Sequence, residues 1–171
     1  MRLGRDRGEE QMTVHVIYGS DSGRTRAAAG KIAAKLDGKV INIKSATTAD
    51  FESCDLLVLG APTYGAGELQ VDWESGVDLL AEADLTGKKV ALFGLGDQAT
   101  YPDTFVDALG TLYDAVLEKG AEVVGFTDTK GYEFEASTAV RDDRFVGLVL
   151  DQDSQAGKSE KRIAAWTSQI L

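Results

Sequence analysis

Ser20, Ser22 and Thr25 surround Gly23 in the stretch "YGSDSGRT". Hydroxyls at this spacing are hydrogen-bond donors, and a glycine lets the backbone approach closely, so together they suit an anion. Two tyrosines stand in other glycine-bearing stretches, Tyr64 in "GAPTYGAGEL" and Tyr101 in "GLGDQATYPD". Aromatic faces beside an anion site point to a flat ring that carries a phosphate. Residues 19–25 contain no lysine.

The elements that would position these residues follow from apolar patterning. Residues 13–18 are β-branched and apolar and read as a buried strand, and the alanine-rich stretch after Gly23 reads as a helix. A helix that begins directly after a strand points its first unpaired N–H groups outward, which favours a bound anion. Further strands are expected at 39–43, 55–60, 88–96 and 121–126, and helices at 72–83, 104–120 and 159–171, with 49–54 as a turn of helix or loop. The order is βαβαβαβαβ, and the strands have no polar face. That pattern predicts an α/β fold, a doubly wound five-stranded parallel sheet covered by helices on both sides. Residues 127–144 are polar and turn-rich and read as an insertion in the last strand, before a further apolar segment at 145–150. In such sheets ligands bind beyond the carboxyl ends of the strands, where strand order reverses. Loops 19–25, 60–69 and 94–103 occupy that position.

Other phosphate chemistries fit less well. A Walker A loop needs four residues between its glycines and a following lysine, but Gly19 and Gly23 enclose three and Arg24 follows. "GLGDQA" matches a loose dinucleotide pattern, yet Asp97 inside it would repel a pyrophosphate, and Pro102 delays the helix. A receiver domain needs an aspartate ending the third strand, where this chain has Gly60-Ala61-Pro62.

Composition narrows the partners. The 171 residues carry a formal net charge of −10, which disfavours nucleic acid and anionic membranes and steers toward basic proteins. Cys54 is the only cysteine and His15 the only histidine, so no disulfide framework or cysteine metal site is expected, and His15 reads as a packed core residue. No apolar run approaches the ~20 residues of a membrane span, and a cytoplasmic location is expected. Residues 1–11, "MRLGRDRGEEQ", read as a disordered N-terminal extension or the result of a start codon set too far upstream, and 12–171 as one domain.

With these motifs in order, the chain resembles a flavodoxin of the long-chain type. "GSDSGRT" resembles that family's phosphate loop, "LGAPTYGAGELQVDW" its first flavin loop and "FGLGDQATYPDTF" its second. "GYEFEAS" and "FVGLVLDQDSQAG" resemble the insertion and last strand of long-chain members. The resemblance implies strand order 2-1-3-4-5, non-covalently bound FMN and low-potential one-electron shuttling between larger redox proteins. It implies no catalytic residues, no metal and no enzymatic turnover. Ser20, Asp21, Ser22, Gly23, Arg24 and Thr25 would cradle the phosphate, with Pro62 and Thr63 nearby. Tyr64 and Tyr101 would flank the ring, within loops that include Gly65, Ala66, Gly67, Leu95, Gly96, Asp103 and Thr104. The Gly65 carbonyl would meet flavin N5, Asp97 the pyrimidine edge and Asp153 the ribityl chain. Arg24 departs from the asparagine usual there, and Gly65-Ala66 makes a smaller loop than most members have. Partners would be a basic reductase as donor and an acceptor such as nitrogenase or another low-potential enzyme, with the carrier a monomer. The competing class on this fold is an FMN-dependent quinone reductase, whose NADPH phosphates the acidic loops would disfavour.

Overall fold

β1 (Val14–Tyr18) buries all five of its residues, which explains why the sequence shows an unbroken apolar run there. Its alternate side chains enter two different cores, as successive strand residues must. Val14, Val16 and Tyr18 pack with Ile32 of α1 (Arg24–Leu36) and with Ile163 and Trp166 of α5 (Ser159–Ile170). Ile17 packs on the opposite face with Trp73 and Leu80 of α3 (Val71–Ala81) and with Leu112 and Val116 of α4 (Asp107–Glu118). The computed structural model that shows this describes residues 12–20, 23–64 and 67–171, apart from the Tyr64 side chain. The proposed extension, 1–11, lies outside the described residues.

The sheet has the expected order. β2 (Lys39–Asn42) and β3 (Leu56–Tyr64) flank β1, and β5 (Lys89–Leu95) lies beyond β3, all parallel. The fifth position is shared by two short strands. β6 (Glu122–Val124) pairs with the first half of β5 and β10 (Leu148–Leu150) with the second, from Leu148–Phe93 to Leu150–Leu95. The chain between them forms a small antiparallel sheet of β7 (Thr127–Asp128), β9 (Arg144–Phe145) and β8 (Val140–Arg141). Asp142 and Asp143, at φ 53° and 65°, make the two-residue turn between β8 and β9. The insertion thus splits the last strand, with its break reaching 125–147 rather than 127–144. Phe145 and the inserted Tyr132 and Phe134 close on Phe105, with ring centroids 5.1 to 6.1 Å apart.

Two boundaries differ from the sequence reading in ways that shape the site. The third strand does not stop at Gly60. It continues to Tyr64 and turns back through β4 (Glu68–Leu69), with Thr63 opposite Leu69 and Tyr64 opposite Glu68. β1 ends opposite Gly60, so β3 has lost one neighbour by the time it reaches Pro62, a position where a strand tolerates proline. α4 begins at Asp107, not at 104, because Val106 ahead of it is left-handed, at φ 48°. A β-branched residue resists that conformation, and this one is held there fully buried. The short α2 (Thr48–Glu52) carries a capping box between Thr47 and Asp50. His15 is 8% exposed with Nδ1 2.8 Å from the Asp50 carbonyl oxygen, and Cys54 is buried.

Candidate functional site

The carboxyl ends of β1, β3, β5 and β10 surround one cleft. Arg24 and Thr25 line it from the start of α1, and Pro62 and Thr63 from the end of β3. Leu95, Gly96, Asp97 and Tyr101 line it after β5, and Gln152 and Asp153 after β10. Three loops far apart in sequence meet as the topology requires, joined by a fourth segment after the split strand.

The wall at α1 is built to receive an anion. Gly23, the residue before the helix, is left-handed at φ 89°, a conformation that glycine adopts without steric penalty. It provides no side-chain cap, and the first helical bond runs from the Ala27 N–H to the Gly23 carbonyl. The amides at 24–26 therefore precede any intrahelical acceptor. No acidic residue stands in the first turn of α1, whereas α3, α4 and α5 each carry one or two there. The positive end of this helix dipole is thus left for an external charge. Ser20 Oγ accepts from the Gly23 N–H at 2.9 Å, and Thr63 Oγ1 from the Ala108 N–H at 3.1 Å. Each hydroxyl keeps its own proton to donate. Thr25 is 1% exposed and adds a third hydroxyl.

Arg24 faces across the cleft. Its Nη1 donates to Asp153 Oδ1 at 2.7 Å, joining the start of α1 to the turn after β10. Both side chains are about half exposed, so solvent screens the pair and it adds little stability. The hydrogen bond to Asp153, and then the charge of Asp153, raise the Arg24 pKa further above its ordinary value. The Arg24 charge is thus already balanced by a protein carboxylate.

Tyr101 is 43% exposed and lines the cleft. The turn that carries it is closed by the Tyr101 N–H to the Asp97 carbonyl at 2.9 Å and the Thr100 N–H to Asp97 Oδ1 at 3.2 Å. Asp97, Asp151 and Asp153 bring carboxylate oxygens within 4.8 Å of one another. Negative charge therefore gathers at this end of the cleft.

Of the residues singled out from sequence, nine line the cleft, and Ser20 and Gly23 stand in the turn beside it. Gly67 lies in the hairpin turn at φ 94°, while Asp103 and Thr104 lie between Tyr101 and α4, outside the lining. Asp21, Ser22, Gly65, Ala66 and the Tyr64 side chain lie outside the described residues. Sequence reasoning missed Gln152, which sits in the polar run "DQDS" and has no distinctive neighbours. Its only signal was position, directly after a strand that pairs with β5.

These donors and the open tyrosine face fit a phosphorylated flat ring, and known proteins agree in family. The flavodoxin family model matches residues 16–166. The flavodoxin of Klebsiella pneumoniae is 42% identical over 168 residues, covering 92% of this chain and 96% of that protein. The flavodoxin of Helicobacter pylori is 40% identical over 158 residues, covering 92% and 95%. The crystal structure of Fusobacterium nucleatum flavodoxin bound to flavin mononucleotide matches with a TM-score of 0.88 at 34% identity, covering 93% of this chain and 96% of that one. By sequence and by fold, this chain belongs to the flavodoxin family.

Proposed function

We propose that this protein is a low-potential one-electron carrier that holds FMN non-covalently in the cleft. The observation that carries this is the meeting, at one cleft, of a helix N-terminus without a side-chain cap, the lining hydroxyls of Thr25 and Thr63 with Ser20 in the turn beside them, and the exposed Tyr101. A solved relative of the same family and fold holds FMN, which supports the assignment. When bound, FMN would supply a ring that takes up electrons one at a time.

The residues of the chain divide the work. The amides at 24–26, with Ser20, Asp21, Ser22, Thr25 and Thr63, hold the phosphate. Tyr101 covers one face of the ring and Tyr64 the other. Asp97 and Asp153 oppose further negative charge in the cleft, since like charges disfavour one another. With FMN held there, that repulsion would disfavour a second electron and make the reduced protein a strong donor. Glycine at 65 would let a loop carbonyl reorient toward bound FMN at little steric cost. Partners are basic redox proteins, a reductase that donates and a low-potential enzyme that accepts. The protein acts as a monomer. Among the described residues no helix is long and apolar enough to cross a membrane.

A stepwise reductive titration of the FMN-loaded protein tests this. Two resolved one-electron steps are expected, with no NADPH consumed when a quinone is offered. A single two-electron step, or sustained quinone reduction by NADPH, would overturn the carrier assignment.

A further inference from the structure

The two loops that wall the cleft on the β5 and β10 side hang from one carboxylate that is not part of the lining. Asp151 directly follows β10 and is fully buried. Its Oδ1 accepts from the Asp153 and Ser154 amides at 3.1 and 2.9 Å. Its Oδ2 accepts from the Gln98 amide at 3.0 Å, from Gln98 Nε2 at 2.8 Å and from the Ser154 hydroxyl at 2.6 Å. Gln98 is itself buried, and its side-chain oxygen accepts the Glu133 amide from the insertion. One buried anion thus joins the loop that carries Asp97 and Tyr101, the turn that carries Gln152 and Asp153, and the insertion.

The strand ends do not need this tie. β10 and β5 are already in register through Leu150–Leu95, and the Gly96 N–H continues that pairing to the Leu150 carbonyl at 3.1 Å. What the ladder leaves open is the path of the two loops beyond it, and the Asp151 carboxylate fixes both. Burial pushes the Asp151 pKa up, but the Ser154 and Gln98 donors outweigh it and hold the group below the usual carboxylate value. Asp151 is therefore an anion throughout the neutral range, held by neutral donors.

We propose that Asp151 and Gln98 are positioning residues that set the spacing of the two cleft walls, and with it the grip on the ring and ribityl chain of FMN. This rests on the cleft being the FMN site. Asparagine at 151 keeps the shape but replaces one acceptor with a donor, so either the 153–154 turn or the Gln98 loop loses its partner. Alanine at 98 removes the side-chain arm and the tie to the insertion, and leaves the backbone bond to Asp151.

The test compares wild-type, Asp151→Asn and Gln98→Ala apoproteins by titration with FMN and with riboflavin, and by amide hydrogen exchange without ligand. Asp151→Asn is expected to weaken both flavins by a similar factor, about tenfold or more, as loss of a charged hydrogen bond would. The amides and hydroxyls of the phosphate wall at α1 stand outside this network, which reaches α1 through the half-exposed Arg24–Asp153 pair, so the ratio of FMN to riboflavin affinity should hold. Exchange should quicken at 97–101 and 152–155 while β1 and β3 stay protected. Gln98→Ala should move both readouts in the same direction by less. Wild-type affinities in both variants, a loss confined to FMN, or exchange that quickens evenly through the sheet would overturn the proposal. If the wild-type protein bound neither flavin, the FMN assignment itself would fall, and this proposal with it.

Discussion

Thr25 and Ser20 contribute hydroxyls to a turn whose glycine already frees the helix amides, so their roles separate from the fold. Thr25 is buried at the cleft, and Ser20 accepts the Gly23 N–H while keeping its proton. A hydrogen bond to a charged phosphate contributes roughly 1.5–3 kcal/mol. The double variant Ser20→Ala with Thr25→Ala should therefore lose FMN affinity by that order while its riboflavin affinity stays near the parent's. Isothermal titration of the two apoproteins measures both, and an undiminished FMN affinity would remove these hydroxyls from the phosphate site. At this scale the sequence was legible where chemistry is local. Hydroxyls around a glycine and a tyrosine after a strand are visible as residue types at short spacing. The partner of Arg24 was not visible, because Asp153 is 129 positions away. Asp151 likewise binds Gln98 across 53 positions, and nothing in "DQDS" marks its first aspartate as the buried one.

At the scale of elements, β3 lies between β1 and β5 and must pass close under a phenylalanine. A Cβ on Gly60 would lie 1.9 Å from Phe93 Cζ, so the ring fills the space a side chain would need. Gly60→Ala should therefore lower unfolding stability by roughly 1–3 kcal/mol, the usual cost of overpacking. Adding Phe93→Leu to that variant should recover part of the loss. Urea unfolding of the three proteins checks this, and a Gly60→Ala variant as stable as the parent would contradict the packing. β1, β3, β5 and β10 were readable because each is buried on two faces and appears as a continuous apolar run. The run of β3 past Gly60 was hidden, since Pro62 and the glycines after it carry turn chemistry whether or not the chain is paired. The start of α4 was hidden for a different reason. "TFVDALG" has helical spacing throughout, and only the left-handed backbone of the buried Val106 delays the first turn to Asp107.

At the scale of the whole molecule, the net charge of −10 includes Asp97 in the cleft lining and, on or just after the segments that flank the cleft in sequence, the exposed Glu68, Glu74 and Asp103 and the partly exposed Asp72. A basic partner should be drawn to this side, and its attraction should fade as the Debye length falls from ~30 Å at 0.01 M salt to ~8 Å at 0.15 M. Stopped-flow reduction by a basic reductase should slow steadily across that range, and a rate insensitive to salt would argue against steering by this rim. Charge was the most legible whole-molecule property, being a sum over the sequence. The cleft was legible only as a topological expectation, because it exists through strand order and not through any one segment. The central claim is that this cleft binds FMN by its phosphate as well as its ring. Titration of the apoprotein with FMN and with riboflavin, followed by quenching of flavin fluorescence, tests it most directly. FMN should bind at least about tenfold more tightly than riboflavin, the least that one charged hydrogen bond would give. Equal affinities for the two flavins, or no binding of FMN, would contradict it.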